Sequence, residues 1–183
     1  MKVVAIIPAR GGSKRLPRKN IYPIWGKPML YWSISAAKQS RYIDEVWVST
    51  EDEEIRKVAL ECGAQVHDRD PSLSGDKVYK MEAIRDCFSF MDEGHDIVVS
   101  LQANSPEITS SILDDAIECF IKNDRNELLS VSQDFMQNAA FRIMKSWYVF
   151  QKDLSTKCGV FVCNVHDVHT LEDVRMIEER VNK

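Results

Sequence analysis

A short run of aliphatic residues opens the chain, KVVAIIPA (2–9), and runs like it return at EVWVST (45–50), AQVHDR (64–69), DIVVSLQA (96–103), ELLSVS (127–132) and CGVFVCNV (158–165). The first is short, rich in β-branched residues and bounded by glycines, the pattern of a strand buried on both faces; DIVVSLQA reads as buried too, and the others as strands. Between them lie segments with helical spacing: PMLYWSISAAKQS (28–40), EDEEIRKVALECG (51–63), DKVYKMEAIRDCFSFMDEG (76–94), TSSILDDAIECFIKND (109–124) and DVHTLEDVRMIEERVNK (167–183). A parallel neighbour can be reached only by a crossover, so this alternation implies a mostly parallel sheet with helices on both faces. The expected class is α/β, a Rossmann-like three-layer α/β/α fold. Stretch 134–157 carries no clear period.

Helix ends are marked locally. Ser49 or Thr50 is expected to cap the helix after the second strand, whose first turn is crowded with acidic residues and whose end is Gly63. Pro28 suits a first helical turn, and Thr170 with Asp173 three residues on has capping-box spacing at the last helix. The chain of 183 residues fits one domain, 1–183, with no repeat, low-complexity tract or linker.

The net charge of −4 offers no global field for nucleic acid. Against that balance, the cations Arg10, Lys14, Arg15, Arg18 and Lys19 crowd the loop after the first strand. No apolar stretch reaches the roughly 18 residues of a membrane span, and the N-terminal run leads into cations instead of a small-residue cleavage site. A cytoplasmic protein is expected. The cysteines Cys62, Cys87, Cys119, Cys158 and Cys163 show no C-x-x-C spacing and read as free thiols.

In an open α/β sheet, ligands sit beyond the carboxyl ends of the strands, where residues 10–20 emerge. Gly11 and Gly12 allow close backbone approach, Ser13 adds a hydroxyl, and Arg10, Lys14 and Lys19 can surround several phosphates. One cation about 4 Å from a phosphate charge gains about 4 kcal/mol before desolvation at an effective dielectric near 20. Neither G-x-x-x-x-G-K-[ST] nor G-x-G-x-x-G is present. A solvated basic loop or RNA patch would fit charge alone, but the loop lacks the interleaved aromatics that single-strand binders use.

The phrase IIPARGGSKRLPRKN (6–20) resembles the signature of the acylneuraminate (sialic acid) cytidylyltransferase family. The likeness continues through EVWVSTEDEEI (45–55), RDPSLSGD (69–76), LQANSPEI (101–108, family LQPTSPLR), KCGVFV (157–162, family PNGAIYI) and DVHTLED (167–173, family DIDTELD). It implies a nucleotidyltransferase fold and transfer of CMP from CTP to a nonulosonate-like acidic sugar with release of pyrophosphate, for surface polysaccharide or glycan synthesis. Arg10, Lys19 and Asp167 are the implied catalytic residues. Ala9, Gly11, Gly12, Ser13, Lys14, Asn20 and Arg69 complete the nucleotide site. Gln102, Asn104 and Ser105 match the sugar side. Mg²⁺ is the implied cofactor, with Mn²⁺ as the softer alternative, held by Asp167 and His169.

Three departures stand out. His169 replaces the family's second aspartate, and Mg²⁺ strongly prefers oxygen ligands. Cys158 stands at the family's Asn; no His is placed by sequence to activate it, so a structural thiol is expected. The family's sugar-lid and dimer insert is nearly gone, since Val162 and Asp167 are close in sequence, so a weakened or rearranged homodimer is expected. A non-catalytic nucleotide-sugar binding homologue and a nucleotidyltransferase for a different sugar are the alternatives.

Overall fold

The computed structural model describes residues 1–91, 94–153 and 155–181. In chain order the strands are β1 (Val3–Pro8), β2 (Pro23–Ile24), β3 (Lys27–Pro28), β4 (Glu45–Thr50), β5 (Gln65–Asp68), β6 (Ile97–Leu101), β7 (Glu127–Val131), β8 (Gln137–Lys145) and β9 (Cys158–Val162). The helices are α1 (Met29–Lys38), α2 (Glu53–Glu61), α3 (Lys80–Phe90), α4 (Ser110–Lys122) and α5 (Leu171–Val181), with 3₁₀ turns at Lys19–Ile21, Pro71–Ser74 and Ser146–Phe150.

Seven strands form one sheet in the order β5-β4-β1-β6-β8-β7-β9, and β2 pairs with β3 in a separate hairpin. β1 runs parallel to β4 and β6, β4 to β5, and β7 to β9. The stretch without a period holds the exception: β8 lies antiparallel between β6 and β7. Its apolar residues Ala140, Phe141, Ile143 and Met144 are buried. The charge of Arg142 interrupts that run and hides it from a reading by hydrophobicity.

The sheet is apolar on both sides because alternate residues serve different cores. Val3, Ala5 and Ile7 of β1 join a cluster with residues of α1, α2 and α4, including Ile34, Ala59 and Ile117. Val4 and Ile6 face the other way, onto Met81, Ile84 and Cys87 of α3. A third cluster joins Leu16, Ile24 and Met29 to Val168, Val174 and Ile177, so the hairpin and α5 pack around the foot of the cationic loop. Leu16 is 2% exposed; burying such a side chain contributes about 1.5–3 kcal/mol and holds that loop against the body.

Asp52, not Ser49 or Thr50, caps α2, accepting from the backbone N–H groups of Glu54 and Ile55. Ser49 and Thr50 are still in β4, where they remain paired to β5. Gly63, with φ of 75°, ends the helix as expected. α3 starts at Lys80, later than expected, because a turn closed by Val78 N–H to Gly75 O precedes it. Residues 92–93, within the expected extent of that helix, and 182–183, within that of the last one, lie outside the described residues. Pro28 is the residue before α1, and the Thr170–Asp173 capping box forms: Asp173 accepts from Thr170 N at 2.8 Å, and Thr170 Oγ1 accepts from Asp173 N at 3.2 Å.

Candidate active site

The strand order reverses at β1, whose neighbours β4 and β6 lead to opposite halves of the sheet, so a crevice opens at their carboxyl ends. The loop after β1, residues 69–78 after β5, and residues 102–105 after β6 meet there. The chain leaving β9 turns back toward the same place. Its path is held by Asn138, which donates to Cys163 O, and by two bonds between Asn104 and Val168. A cleft of about 250 Å³ results, with Arg10, Ser13, Lys19, Asn20, Arg69, Lys80, Gln102 and Asn104 in its wall.

Most of the loop cations are paired. Arg10 NH1 lies 2.9 Å and Lys14 Nζ 2.5 Å from the carboxylate oxygens of Asp76, while Arg18 grips Asp52 at 2.6 and 2.8 Å. Asn20 is buried and donates to Arg10 O at 2.9 Å, tying the two ends of the loop. A Cβ on Gly11 would lie 2.2 Å from Asp52 Oδ2, so this glycine permits the close approach of Asp52. A Cβ on Gly12 would meet nothing within 4 Å, and Ala9 is buried beneath the loop.

Glu51 joins three parts of the cleft wall. It accepts from Gly11 N at 2.8 Å, from Arg69 NH2 at 2.7 Å and from Ser74 Oγ at 2.7 Å. Burial opposes its charge, but the bonds from Ser74, Arg69 and Gly11 outweigh this and hold its pKa below the usual value. Arg69 is thereby fixed as a buried cation, 5% exposed. Reading the sequence missed Glu51, Asp76 and Lys80. Glu51 and Asp76 lie inside quoted motifs, but their roles depend on partners from other loops.

Asp167 stands at the mouth of β6. Ser105 Oγ donates to its Oδ1, and its Oδ2 has no hydrogen-bond partner among the described residues. Burial raises its pKa, offset in part by Ser105, His169, Lys80 and Lys19. Of the expected sugar-side residues, Asn104 and Ser105 make internal bonds, whereas Gln102 presents Oε1 to Lys80 Nζ at 3.2 Å. Cys158 is half-buried with its Sγ 3.6 Å from Glu127, and burial pushes its thiol pKa up, so no group among the described residues activates it as a nucleophile.

His169 Nδ1 is 3.1 Å from Arg15 NH2. Burial and the charges of Lys19 and Arg15 lower its pKa, which keeps the ring neutral. Since a guanidinium only donates, Nδ1 accepts and the ring proton sits on Nε2. In this arrangement Nδ1 is taken up by Arg15 and Nε2 carries the ring proton. No group of three or more His, Cys, Asp or Glu side chains suited to a metal occurs among the described residues. Asp167 alone still fits Mg²⁺, which characteristically uses one or two carboxylates plus substrate phosphates and water.

A family described as Cytidylyltransferase matches residues 4–171. The chain is 42% identical over 129 residues to N-acylneuraminate cytidylyltransferase A of Danio rerio, covering 70% of this chain and 30% of that protein. It is 37% identical over 158 residues to pseudaminic acid cytidylyltransferase of Campylobacter jejuni, covering 84% of this chain and 68% of that one. It thus spans less than a third of the fish relative and about two thirds of the bacterial one. Among solved structures, CMP:2-keto-3-deoxy-manno-octonic acid synthetase complexed with CTP superposes with a TM-score of 0.79 at 15% identity, covering 100% of this chain and 99% of that one. A cytidylyltransferase from Leptospira borgpetersenii gives 0.77 at 21% identity, covering 100% and 87%. Fold likeness and sequence likeness over most of its length agree: the chain belongs to the cytidylyltransferase family.

Proposed function

We propose that the protein transfers CMP from CTP to a nonulosonate-like sugar acid. The acceptor hydroxyl oxygen forms the new bond to the α-phosphorus, the bond from that phosphorus to the bridging oxygen breaks, pyrophosphate leaves, and the hydroxyl proton passes to solvent. The observation that carries this reading is the cleft at the strand-order reversal, where Arg10, Ser13 and Lys19 face the β6 mouth with Asp167 beside it. In that reading the loop cations orient the triphosphate, Arg69 and Asn20 fix the nucleoside side, and Gln102 meets the sugar. Asp167 would hold a divalent ion, which supplies charge neutralisation at the phosphates. His169 anchors Arg15.

Residues 1–183 act as one unit in this proposal, with the family's sugar lid reduced to the short link from Cys163 to His166. Self-pairing then uses other surfaces, and light scattering should show a dimer weaker than the usual family one. No helix among the described residues is long and apolar enough to cross a membrane.

The test is pyrophosphate release from CTP with Mg²⁺ and a panel of sugar acids, alongside thermal shifts with CTP, GTP, UTP and ATP. Release with at least one acid and the largest shift with CTP are expected. Binding of CTP with no release from any acid would replace this reading by a binding-only one, which the engagement of His169 by Arg15 favours.

A further inference from the structure

Two lysines differ from the other cations around the cleft. Arg10 and Lys14 are paired with Asp76, Arg18 with Asp52 and Glu54, and Arg69 with Glu51, while Arg15 rests on His169. Lys19 and Lys80 have no carboxylate within ion-pair distance among the described residues, and burial lowers the pKa of both. An ammonium withdrawn from water without a counter-charge is costly, and an anionic ligand relieves that cost. Both lysines line the cleft.

They enter it from different elements. Lys19 belongs to the β1 loop, and besides Asp167 it feels Arg15, Arg10 and Asp173. Lys80 opens α3, and among the described residues it feels Asp167 and Arg142 of β8. Arg142 is itself engaged by Glu127 and by Tyr79 Oη. Among the described residues, Lys80 is therefore the cation on the β6–β8 side that still has donors to offer. Gln102 Oε1 takes one of them at 3.2 Å and steers the ammonium, leaving two N–H groups for a ligand.

The proposed reaction joins two anions in one cleft. The triphosphate takes the β1 loop, where the other cations are gathered. An acidic acceptor must approach the α-phosphate from the other side, and its carboxylate needs a cation that the β1 loop does not supply. We propose that Lys80, steered by Gln102, binds the carboxylate of the acceptor and selects sugar acids over neutral sugars. The proposal rests on the cytidylyltransferase reading of the cleft.

Calorimetry on protein loaded with a non-hydrolysable CTP analogue would compare N-acetylneuraminate and 3-deoxy-manno-octulosonate with their uncharged methyl esters, for wild type, Lys80→Met and Lys80→Arg. Wild type should prefer at least one acid to its ester. Lys80→Met should weaken acid binding about 10- to 100-fold, the loss of a charge-assisted contact, with ester binding unchanged and Lys80→Arg restoring part of the preference. CTP affinity should stay within about twofold, less than the loss of one ordinary hydrogen bond. A drop in CTP affinity with acid binding intact would assign Lys80 to the phosphates and overturn the proposal, as would a wild type with no preference for either acid over its ester. Pyrophosphate release, measured separately on wild type, judges the catalytic reading: acid bound through Lys80 without release refutes catalysis and leaves the carboxylate site standing.

Discussion

Asn104 and Val168 exchange two hydrogen bonds, Asn104 Nδ2 to Val168 O at 2.8 Å and Val168 N to Asn104 O at 2.9 Å. This pair fastens the segment carrying Asp167 to the mouth of β6. Asn104 is 4% exposed, so its loss leaves a buried carbonyl without a partner. Asn104→Ala should cost about 1–3 kcal/mol in urea unfolding and lower turnover more than CTP affinity. Unchanged stability would show that the pair does not hold this segment.

Lys19 and Lys14 share a loop but differ in burial. Lys19 is half-buried and unpaired among the described residues, whereas Lys14 is 82% exposed at its side chain and bound to Asp76. Lys19→Ala should weaken CTP binding about 10- to 100-fold by calorimetry. Lys14→Ala should change it by no more than about fivefold, as for an exposed ion pair. The reverse ranking would remove Lys19 from the phosphate site.

Asp76 occupies both Arg10 and Lys14 in the free protein. A triphosphate that uses those cations competes with its carboxylate. Asp76→Asn should therefore tighten binding of CTP, and of inorganic tripolyphosphate, by about two- to fivefold, the scale of an exposed pair. Weaker binding in this variant would mean that the loop from residue 69 to 78 is needed in its present position.

Asp167 has one carboxylate oxygen without a hydrogen-bond partner among the described residues, while His169 Nδ1 faces Arg15 NH2. Asp167→Asn should keep the Ser105 contact and the thermal midpoint while lowering turnover at least about 100-fold. Chelation should abolish wild-type activity, Mg²⁺ should restore it, and His169→Gln should leave the metal requirement in place. Full activity of Asp167→Asn would rule out a metal role for this residue.

His67 on β5 is buried between Ser49, with its Nδ1 3.2 Å from Ser49 Oγ, and Asp86, 3.5 Å from its Nε2. Burial lowers its pKa; Asp86 and Asp68 favour the protonated ring, and Arg69 opposes it. A base whose folded pKa is depressed contributes fully above its unfolded pKa, about 6.5, and that contribution fades as pH falls below it. The thermal midpoint should fall on acidification below about pH 6.5, and His67→Gln should flatten that part of the curve. Identical profiles for the two proteins would assign the acid sensitivity elsewhere.

The alternating aliphatic runs and helical segments identify the layered α/β architecture from local chemistry alone, because a buried strand and an amphipathic helix each write their period into the chain. β8 escaped for the same reason: Arg142 sits inside its apolar run, and a strand between two others is defined by the partners on both sides. Capping shows the same division. Thr170 and Asp173 satisfy each other within one turn and were legible, whereas the cap of α2 depended on where β4 stops pairing with β5.

The make-up of the cationic loop was likewise legible in the sequence: contiguous residues after a buried strand place glycines and cations together whatever the rest of the chain does. What surrounds that loop was decided only by tertiary structure. Glu51 reaches Gly11 across 40 positions, Ser105 reaches Asp167 across 62, and Arg15 meets His169 across 154. Lys80 gives no local sign of its place in the cleft, since a lysine at a helix start is ordinarily solvated. Only the packing of α3 against β1 removes its water and brings it to Gln102, turning a common surface residue into a cation in need of an anion.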